Sequence, residues 1–191
     1  MKNHGTHAIV VLGILLLGFG QQSLHAQLDQ DDFESYPVGS FISGQGSWDT
    51  WDQTPGVDSQ IVATYNSTIN GNRSLELGPD DDIVRLFNGL NQGQFRFTSN
   101  VYVPSGQAGN YYFILLNTYE HNGPKNWSVQ IEMSDATGQV QDAGGSAAVT
   151  GLPTPTAIIY DQGVEIEVIV DITNNLYSAS YNGTQIMREN A

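Results

Sequence analysis

Apolar and polar residues alternate along most of the chain after Gln27, and this two-residue period is typical of β-strands with one buried face. The stretch 164–171 is the clearest example, with aliphatic side chains on one face and carboxylates on the other. The stretch 127–133 alternates in the same way, from Trp127 to Met133. Both patterns predict antiparallel strands that face a core on one side and water on the other.

Residues 111–116 (YYFILL) are apolar on both faces, which predicts a central strand that is covered on both sides. The dipeptide Asn182-Gly183 accepts positive φ and lies between two strand-like runs, so it predicts a β-hairpin. No window after Ala26 has a helical stripe with caps. The other predicted strands are 61–65, 74–77, 83–87, 95–98, 101–103, 176–181 and 184–187. Many short strands separated by turns predict an all-β fold, an antiparallel β-sandwich or jelly roll.

The segment 1–26 differs from the rest of the chain. A weakly basic start with Lys2 precedes an unbroken apolar or glycine run at 8–20, and a polar stretch then ends at Ala26. This order is that of a secretory signal peptide, and the run is shorter than the roughly 20 residues that span a bilayer. We predict a signal peptide at 1–26 and one domain at 27–191, secreted to the periplasm, cell surface or medium. An uncleaved membrane anchor is the alternative.

The last predicted strand stops at 188–191 without a closing turn or a further strand. A β-sandwich has to cover or blunt its edge strands. We therefore expect the domain to lack its final strand, with the chain truncated at its C-terminal end.

The excess of acidic over basic residues limits the classes of partner that the chain is expected to bind. The formal net charge is −14, and removal of segment 1–26 takes away one lysine and no acid, which leaves five basic against twenty acidic residues. Such a surface repels phosphate backbones and anionic lipids, so we expect no nucleic-acid partner and no membrane insertion of the mature chain. It is compatible with calcium, cationic partners and neutral glycans, and also with a role in solubility alone. No cysteine is present, and His121 is the only histidine after Ala26, which excludes thiolate and multi-histidine zinc sites within one subunit.

Several motifs occur in an order that resembles a known superfamily. The segment 31–40 (DDFESYPVGS) is followed by 46–48 (GSW), and the chain later has a YNGT hairpin at 181–184. The intervening matches are 72–77, 82–85, 101–104, 126–130, 164–168 and 171–172. Together they resemble the concanavalin A-like lectin/glucanase superfamily, specifically the laminin G-like jelly-roll modules of exported bacterial proteins. The galactose-binding-like jelly roll of carbohydrate-binding modules is a competing resemblance, and both imply glycan recognition.

Both resemblances also imply a structural calcium ion near the first strand. Hard cations bind six to eight oxygen ligands, and two groups of acidic residues could supply them. The resemblance points to Glu34, together with carbonyl groups of the turn at 71–73. Solvated loop carboxylates without a metal are the alternative interpretation. The candidate ligands are Glu34, Asp31, Asp32, Asp80, Asp81 and Asp82.

Glycan binding requires aromatic faces that stack on sugar rings, with polar groups for the hydroxyls. Trp48 and Trp51 lie close together in a segment rich in Gly and Asp, which suits a binding loop. A second group surrounds another loop and consists of Tyr119, His121, Asn122 and Trp127. Core positions are the alternative interpretation for Trp48 and Trp127.

The sequence contains no complete catalytic motif. Glucanases of the superfamily carry an acidic triad, E-x-D-x-x-E, on one strand, but here position 170 is a valine and the next acid, Asp171, comes one residue late. Glu165 and Glu167 then form the solvent face of an amphipathic strand, so we predict no catalytic residue. The predicted function is an exported, non-catalytic carbohydrate- or surface-binding module with a glycan or cell-surface partner. The alternatives are a structural or adhesive segment of a cell-surface protein and a polysaccharide hydrolase or lyase.

Overall fold

Twelve β-strands and one short 3-10 helix make up the part of the chain that the computed structural model describes, residues 29–64, 71–143 and 156–189. The chain divides into a unit at 1–30, of which only positions 29 and 30 are described, and a unit at 31–191. The predicted signal peptide at 1–26 lies outside the described residues. The strands are β1 (Trp48–Thr50), β2 (Gln60–Val62), β3 (Ser74–Glu76), β4 (Ile83–Arg85), β5 (Gln94–Tyr102), β6 (Asn110–Tyr119), β7 (Lys125–Ser134), β8 (Gln139–Asp142), β9 (Thr156–Ala157), β10 (Gly163–Asp171), β11 (Leu176–Tyr181) and β12 (Thr184–Glu189), and the 3-10 helix is Trp51–Gln53.

Two four-stranded antiparallel sheets form the main body. Sheet A has the strand order β12-β11-β10-β5, and sheet B has the order β6-β7-β8-β9. One buried cluster contains side chains from both sheets, so the two sheets face each other across it. Its members are Val103, Val129, Ile131, Met133, Val140, Ile158, Val164, Ile166, Val168, Ala179, Tyr181, Ile186 and Met187. The predicted all-β antiparallel sandwich is confirmed.

The alternation in β10 follows the prediction. Val164, Ile166 and Val168 are buried, whereas Glu165 on the opposite face is exposed. The predicted hairpin is also present, because β11 pairs with β12 through Asn182-Gly183, whose φ angles of 49° and 72° are those that a two-residue turn requires.

The prediction of a central strand at 111–116 is wrong. Among the described strands, β6 pairs only with β7 and therefore lies at the edge of sheet B. Tyr112 is 51% exposed, and its hydroxyl donates a hydrogen bond to Glu132 on β7. A tyrosine counts as apolar in a sequence pattern, yet its hydroxyl allows it to face water, so the apolar run overstated the burial of this strand.

The segment before β5 forms two small two-stranded sheets, β1 with β4 and β2 with β3. Ile42 and Ile61 are fully buried there and give this segment its own apolar contacts. Within the described residues, no helix is long and apolar enough to cross a membrane.

Candidate functional site

Three aromatic rings lie side by side at the junction of β1, β6 and β7. The ring of Trp51 is 5.0 Å from that of Tyr119 in an edge-to-face arrangement and 5.6 Å from that of Trp127. Trp127 is 45% exposed, which is unusual for a side chain of its size. We call these three residues the aromatic platform. They come from two segments that lie far apart in the sequence.

A β-bulge turns Trp127 toward the platform. Leu115 on β6 is opposite Val129 on β7, but the next residue, Leu116, is opposite Trp127, so Ser128 is an extra residue in β7. Directly opposed residues point to the same side of a sheet. Trp127 therefore lies on the side of Leu116 and not on the side of buried Val129. The alternation alone put Trp127 on the core face, and the bulge is the physical reason why that interpretation is wrong.

The loop that carries Trp51 is held by backbone contacts. The Trp51 N–H donates to the carbonyl of Asp82 at 2.9 Å, and the Asp52 N–H donates to the Tyr119 hydroxyl at 2.8 Å. Asp52 and Gln53 both have positive φ, 53° and 52°, a conformation that a non-glycine residue keeps only when its surroundings impose it. The platform is therefore preorganised in this structure.

One ion pair lies among the rings. The ammonium of Lys125 is 2.8 Å from Asp52 Oδ1 and lies 5.2 Å and 5.4 Å from the ring centres of Trp51 and Tyr119, within cation–π distance. The hydrogen bond from Lys125, followed by that from the Asn122 N–H, lowers the pKa of Asp52 below its ordinary value. Asp52 is therefore an anion at neutral pH, and it fixes both Lys125 and the 120–124 turn.

Two exposed polar side chains complete the edge of the platform. His121 Nδ1 lies 3.9 Å from Asp52 Oδ1, and His121 Nε2 lies 2.8 Å from the side-chain amide nitrogen of Asn122. Asn122 has a φ of 51°, which the Asn-Gly turn predicts. The structure thus brings together five of the six residues that the sequence suggested for glycan binding: Trp51, Tyr119, His121, Asn122 and Trp127.

Trp48, the sixth predicted residue, packs in a different group of side chains. Its ring contacts Phe33 and lies under the guanidinium of Arg85, and its indole N–H donates to Asp31 at 2.9 Å. Both the ring face and the polar edge are thus used within the domain. Its contacts are those of a structural residue, and sugar binding by Trp48 stays a prediction.

The carboxylates predicted to bind calcium accept hydrogen bonds within the domain. Asp31 Oδ2 accepts from Tyr36 and Trp48, and Glu34 Oε1 accepts from the backbone N–H groups of Asn72 and Arg73 at 2.6 Å and 2.7 Å. The turn at 71–73 therefore presents N–H donors to Glu34, where the calcium hypothesis requires carbonyl oxygens. This donor set does not fit a calcium ion.

The other predicted ligands are similarly placed. Asp32 accepts from the backbone of Glu34, Asp81 accepts from the Ser59 hydroxyl and the Gly78 N–H, and Asp80 is exposed. The carbonyl of Asp82 holds the Trp51 loop. Across residues 29–64, 71–143 and 156–189, no three His, Asp or Glu side chains are close enough together to hold a metal ion. Calcium binding stays a prediction.

The acidic side chains on the outer face of β10 form ion pairs with an arginine of the neighbouring strand β5. Arg96 on β5 forms ion pairs with Glu165 and Glu167, and all three side chains are at least partly exposed. This is the arrangement of a solvent-facing sheet surface, as the sequence pattern indicated.

Sequence reasoning missed Lys125 and Asp52, which organise the platform. Both had a usable signal, because Asp52 directly follows Trp51, and Lys125 lies two positions before Trp127 on the same strand. Side chains at i and i+2 share a face of a strand, so a face that carries an exposed Trp also carries Lys125.

No family model, curated protein or solved structure matches the chain. The chemistry of the site is therefore argued from its own side chains. One exposed and two half-buried rings lie beside the Lys125–Asp52 ion pair, with an imidazole and an amide at their edge. Such a group can stack on an apolar ligand face and exchange hydrogen bonds at its edge.

Proposed function

We propose that the chain is an exported, non-catalytic carbohydrate-binding module, and that the aromatic platform is its glycan site. The observation that carries the proposal is the preorganised group of Trp51, Tyr119 and Trp127, in which Trp127 is exposed and the other two rings are half-buried. A pyranose ring has an apolar C–H face that stacks on an aromatic ring, while its hydroxyls need polar partners at the rim. His121 and Asn122 are exposed at that rim and supply such partners.

The ionisation of Asp52 supports binding without hydrolysis, whereas burial and the charge of Asp52 raise the pKa of the neighbouring Asp82 carboxyl. Glycoside hydrolysis needs a carboxylic acid with a raised pKa as proton donor and a second carboxylate at a defined distance. Asp52, the carboxylate that contacts the platform, has a lowered pKa because Lys125 and the Asn122 N–H donate to it. It is unsuited to protonate a leaving group at neutral pH.

The proposal includes export of a bacterial protein, with segment 1–26 as the signal peptide. The order of basic, apolar and polar segments supports this part of the proposal. N-terminal sequencing of the secreted protein tests it, with Gln27 expected as the first residue.

Binding of the purified chain to laminarin, xylan and galactomannan tests the glycan site, by affinity electrophoresis and titration calorimetry. We expect at least one of these neutral polysaccharides to bind. Trp127→Ala should weaken that binding by about tenfold or more, since exposed aromatic anchors dominate such interfaces. Tyr112→Ala is the matched control, because Tyr112 is also exposed on sheet B but does not belong to the platform.

Two results would contradict the proposal. One is that none of the polysaccharides binds, which would favour a cell-surface protein partner. The other is that Trp127→Ala and Tyr112→Ala bind as well as the unchanged chain. Addition of EDTA in the same titrations tests the calcium hypothesis, and the contacts of Glu34 and Asp31 predict no effect on affinity.

A further inference from the structure

An open groove of about 350 Å³ lies beside the Trp51 loop and is lined in part by Gln53 and Thr54. This volume is at the lower end of the range for small-ligand sites, about 300–1,000 Å³. Its lining is mixed polar and apolar, and the side chains of Ser43, Asp49, Gln53, Thr54 and Asp58 supply hydroxyl, carboxylate and amide groups. These are the groups that exchange hydrogen bonds with sugar hydroxyls.

The side chains of the groove hold one another in place. Asp49 Oδ1 accepts from the Ser43 hydroxyl at 3.0 Å and from the Thr50 N–H at 2.8 Å, and Asp49 Oδ2 accepts from the Gln53 amide at 3.1 Å. Asp58 accepts from the Ser43 N–H at 3.2 Å. Because the polar groups are fixed before a ligand arrives, little conformational entropy is lost on binding.

The groove and the platform share one loop. Gln53 and Thr54 line the groove and directly follow Trp51 and Asp52 of the platform region, and the Thr54 N–H donates to the Trp51 carbonyl at 3.0 Å. Burial raises the pKa of Asp49, but hydrogen bonds from Thr50, Gln53 and Ser43, together with the charge of His121, lower it overall.

The charges around both features exclude anionic ligands. The groove contains two carboxylates, and the ammonium of Lys125 is only 16% exposed and already paired with Asp52. The other basic side chains that the structure describes also face internal acceptors: Arg73 contacts backbone carbonyls, and Arg85 and Arg96 contact carboxylates. A uronate or sulfate group would therefore meet repulsion from the groove and find the platform's cation occupied.

We infer that the groove is a second subsite, which holds the next units of a glycan whose first ring stacks on the platform. The ligand class is an uncharged polysaccharide chain of several units. This inference rests on the proposed function, because it extends the same site from one sugar ring to a chain.

Chain-length dependence tests the second subsite by titration calorimetry on the purified chain. The probes are β-1,3- and β-1,4-linked gluco-oligosaccharides of two and six units, and galacturonate oligosaccharides of six units. We expect the neutral hexasaccharide to bind about tenfold more tightly than the disaccharide, which corresponds to about 1.4 kcal/mol, because it makes additional hydrogen bonds in the groove. The galacturonate hexamer should bind at least about tenfold more weakly than the neutral hexamer.

Gln53→Ala should lower the affinity for the hexasaccharide about fivefold more than the affinity for the disaccharide. Gln107→Ala, an exposed glutamine in the β5–β6 loop, is the matched control and should change neither. Equal affinity for two and six units, equal loss on both with Gln53→Ala, or tight binding of galacturonate would overturn the inference. Each of these results still leaves Trp127-dependent glycan binding in place, so failure of the subsite is distinguishable from failure of the proposed function.

Discussion

Asp31 connects three separated parts of the N-terminal segment through one carboxylate. Its Oδ2 atom accepts from the Tyr36 hydroxyl at 2.6 Å, the Trp48 indole at 2.9 Å and the Arg85 guanidinium at 3.0 Å. The Asp31 and Arg85 side chains are 8% and 12% exposed, so the pair is shielded from water. At such a site, loss of one partner costs more than the pair itself contributes.

Asp31→Asn should lower the free energy of unfolding by about 2–3 kcal/mol, because the buried Arg85 loses its countercharge. Urea denaturation measures this loss. Asp32→Asn is the control, since Asp32 is exposed and accepts only a local hydrogen bond from the Glu34 N–H. If both variants have the same midpoint, the carboxylate of Asp31 does not stabilise the segment.

The protonation of Asp31 predicts a loss of stability in acid. Burial raises the pKa of Asp31, but hydrogen bonds from Tyr36, the Phe33 N–H and Trp48, with the charge of Arg85, lower it below the ordinary 3.8. A lowered folded pKa means that the contribution is complete above the unfolded value and is lost as the pH falls through the folded value. From pH 5 down to about pH 3, the free energy of unfolding should fall more steeply in the unchanged chain than in Asp31→Asn. Parallel profiles would contradict this assignment.

Individual residues differed in how far the sequence predicted them. The sequence grouped Tyr119, His121, Asn122 and Trp127 around one loop, and they are neighbours in the structure. It could not show that Trp51 joins them, because that contact links two distant segments of the chain. Calcium ligation by Glu34 stays a prediction, and it depends on which backbone atoms of the 71–73 turn face Glu34, which a sequence does not contain.

At the scale of the elements, the irregular pairing of β6 with β7 determines which side chains reach the platform. The register also shifts at Asn117, which is an extra residue in β6. Each strand therefore has one extra residue, Asn117 in β6 and Ser128 in β7. Beyond these shifts, Tyr119 is opposite Lys125, which brings both to the ring of Trp51. Bulges commonly redirect side chains near binding sites.

Deletion of Ser128 should retain the proposed glycan binding. Without this extra residue, regular alternation from buried Val129 still places Trp127 opposite Leu116, on the platform side. Deletion of Gln130 is the control, because it shifts a regular part of β7 by one position and exchanges its faces, which should unfold the domain. Polysaccharide binding and circular dichroism of both variants check this. Loss of binding in a folded Ser128 deletion variant would show that the bulge itself shapes the site.

The strands themselves were largely predictable. The hairpin at 176–187 and the amphipathic strand at 164–171 follow from local composition and period, and both are present. The edge position of β6 and the bulge in β7 were not, because strand order and extra residues depend on pairing with distant segments.

For the whole molecule, the dominant electrostatic feature is its net charge of −14. Like charges on one domain repel each other, and the repulsion decreases in the unfolded chain, where the charges are farther apart. The internal ion pairs act in the opposite direction, but the ones between Arg96 and β10 are exposed and therefore contribute little.

The melting temperature should therefore rise when NaCl is increased from about 20 mM to about 300 mM, because salt screens charges separated by more than about 10 Å. Differential scanning calorimetry at pH 7 measures the change, and an equal concentration of a neutral osmolyte separates screening from general solvent effects. A fall in the melting temperature would mean that the ion pairs outweigh the repulsion.

The sandwich as a whole was predictable, since period and turn spacing define an all-β chain. The division of the N-terminal segment into two small sheets was not, because its strands have only three residues each. In such short strands the period carries little information, and contacts such as those of Asp31 determine the arrangement.

The separation of 5.6 Å between the rings of Trp51 and Trp127 has an optical consequence. Two indoles at this distance couple their excited states, so their near-ultraviolet dichroism and emission depend on the angle and spacing between them. A molecule that binds to the rings changes the near-ultraviolet dichroism and the emission of this pair. The third tryptophan, Trp48, lies beside Arg85 and contributes a constant background to both signals. The protein thus contains its own spectroscopic reporter of occupancy.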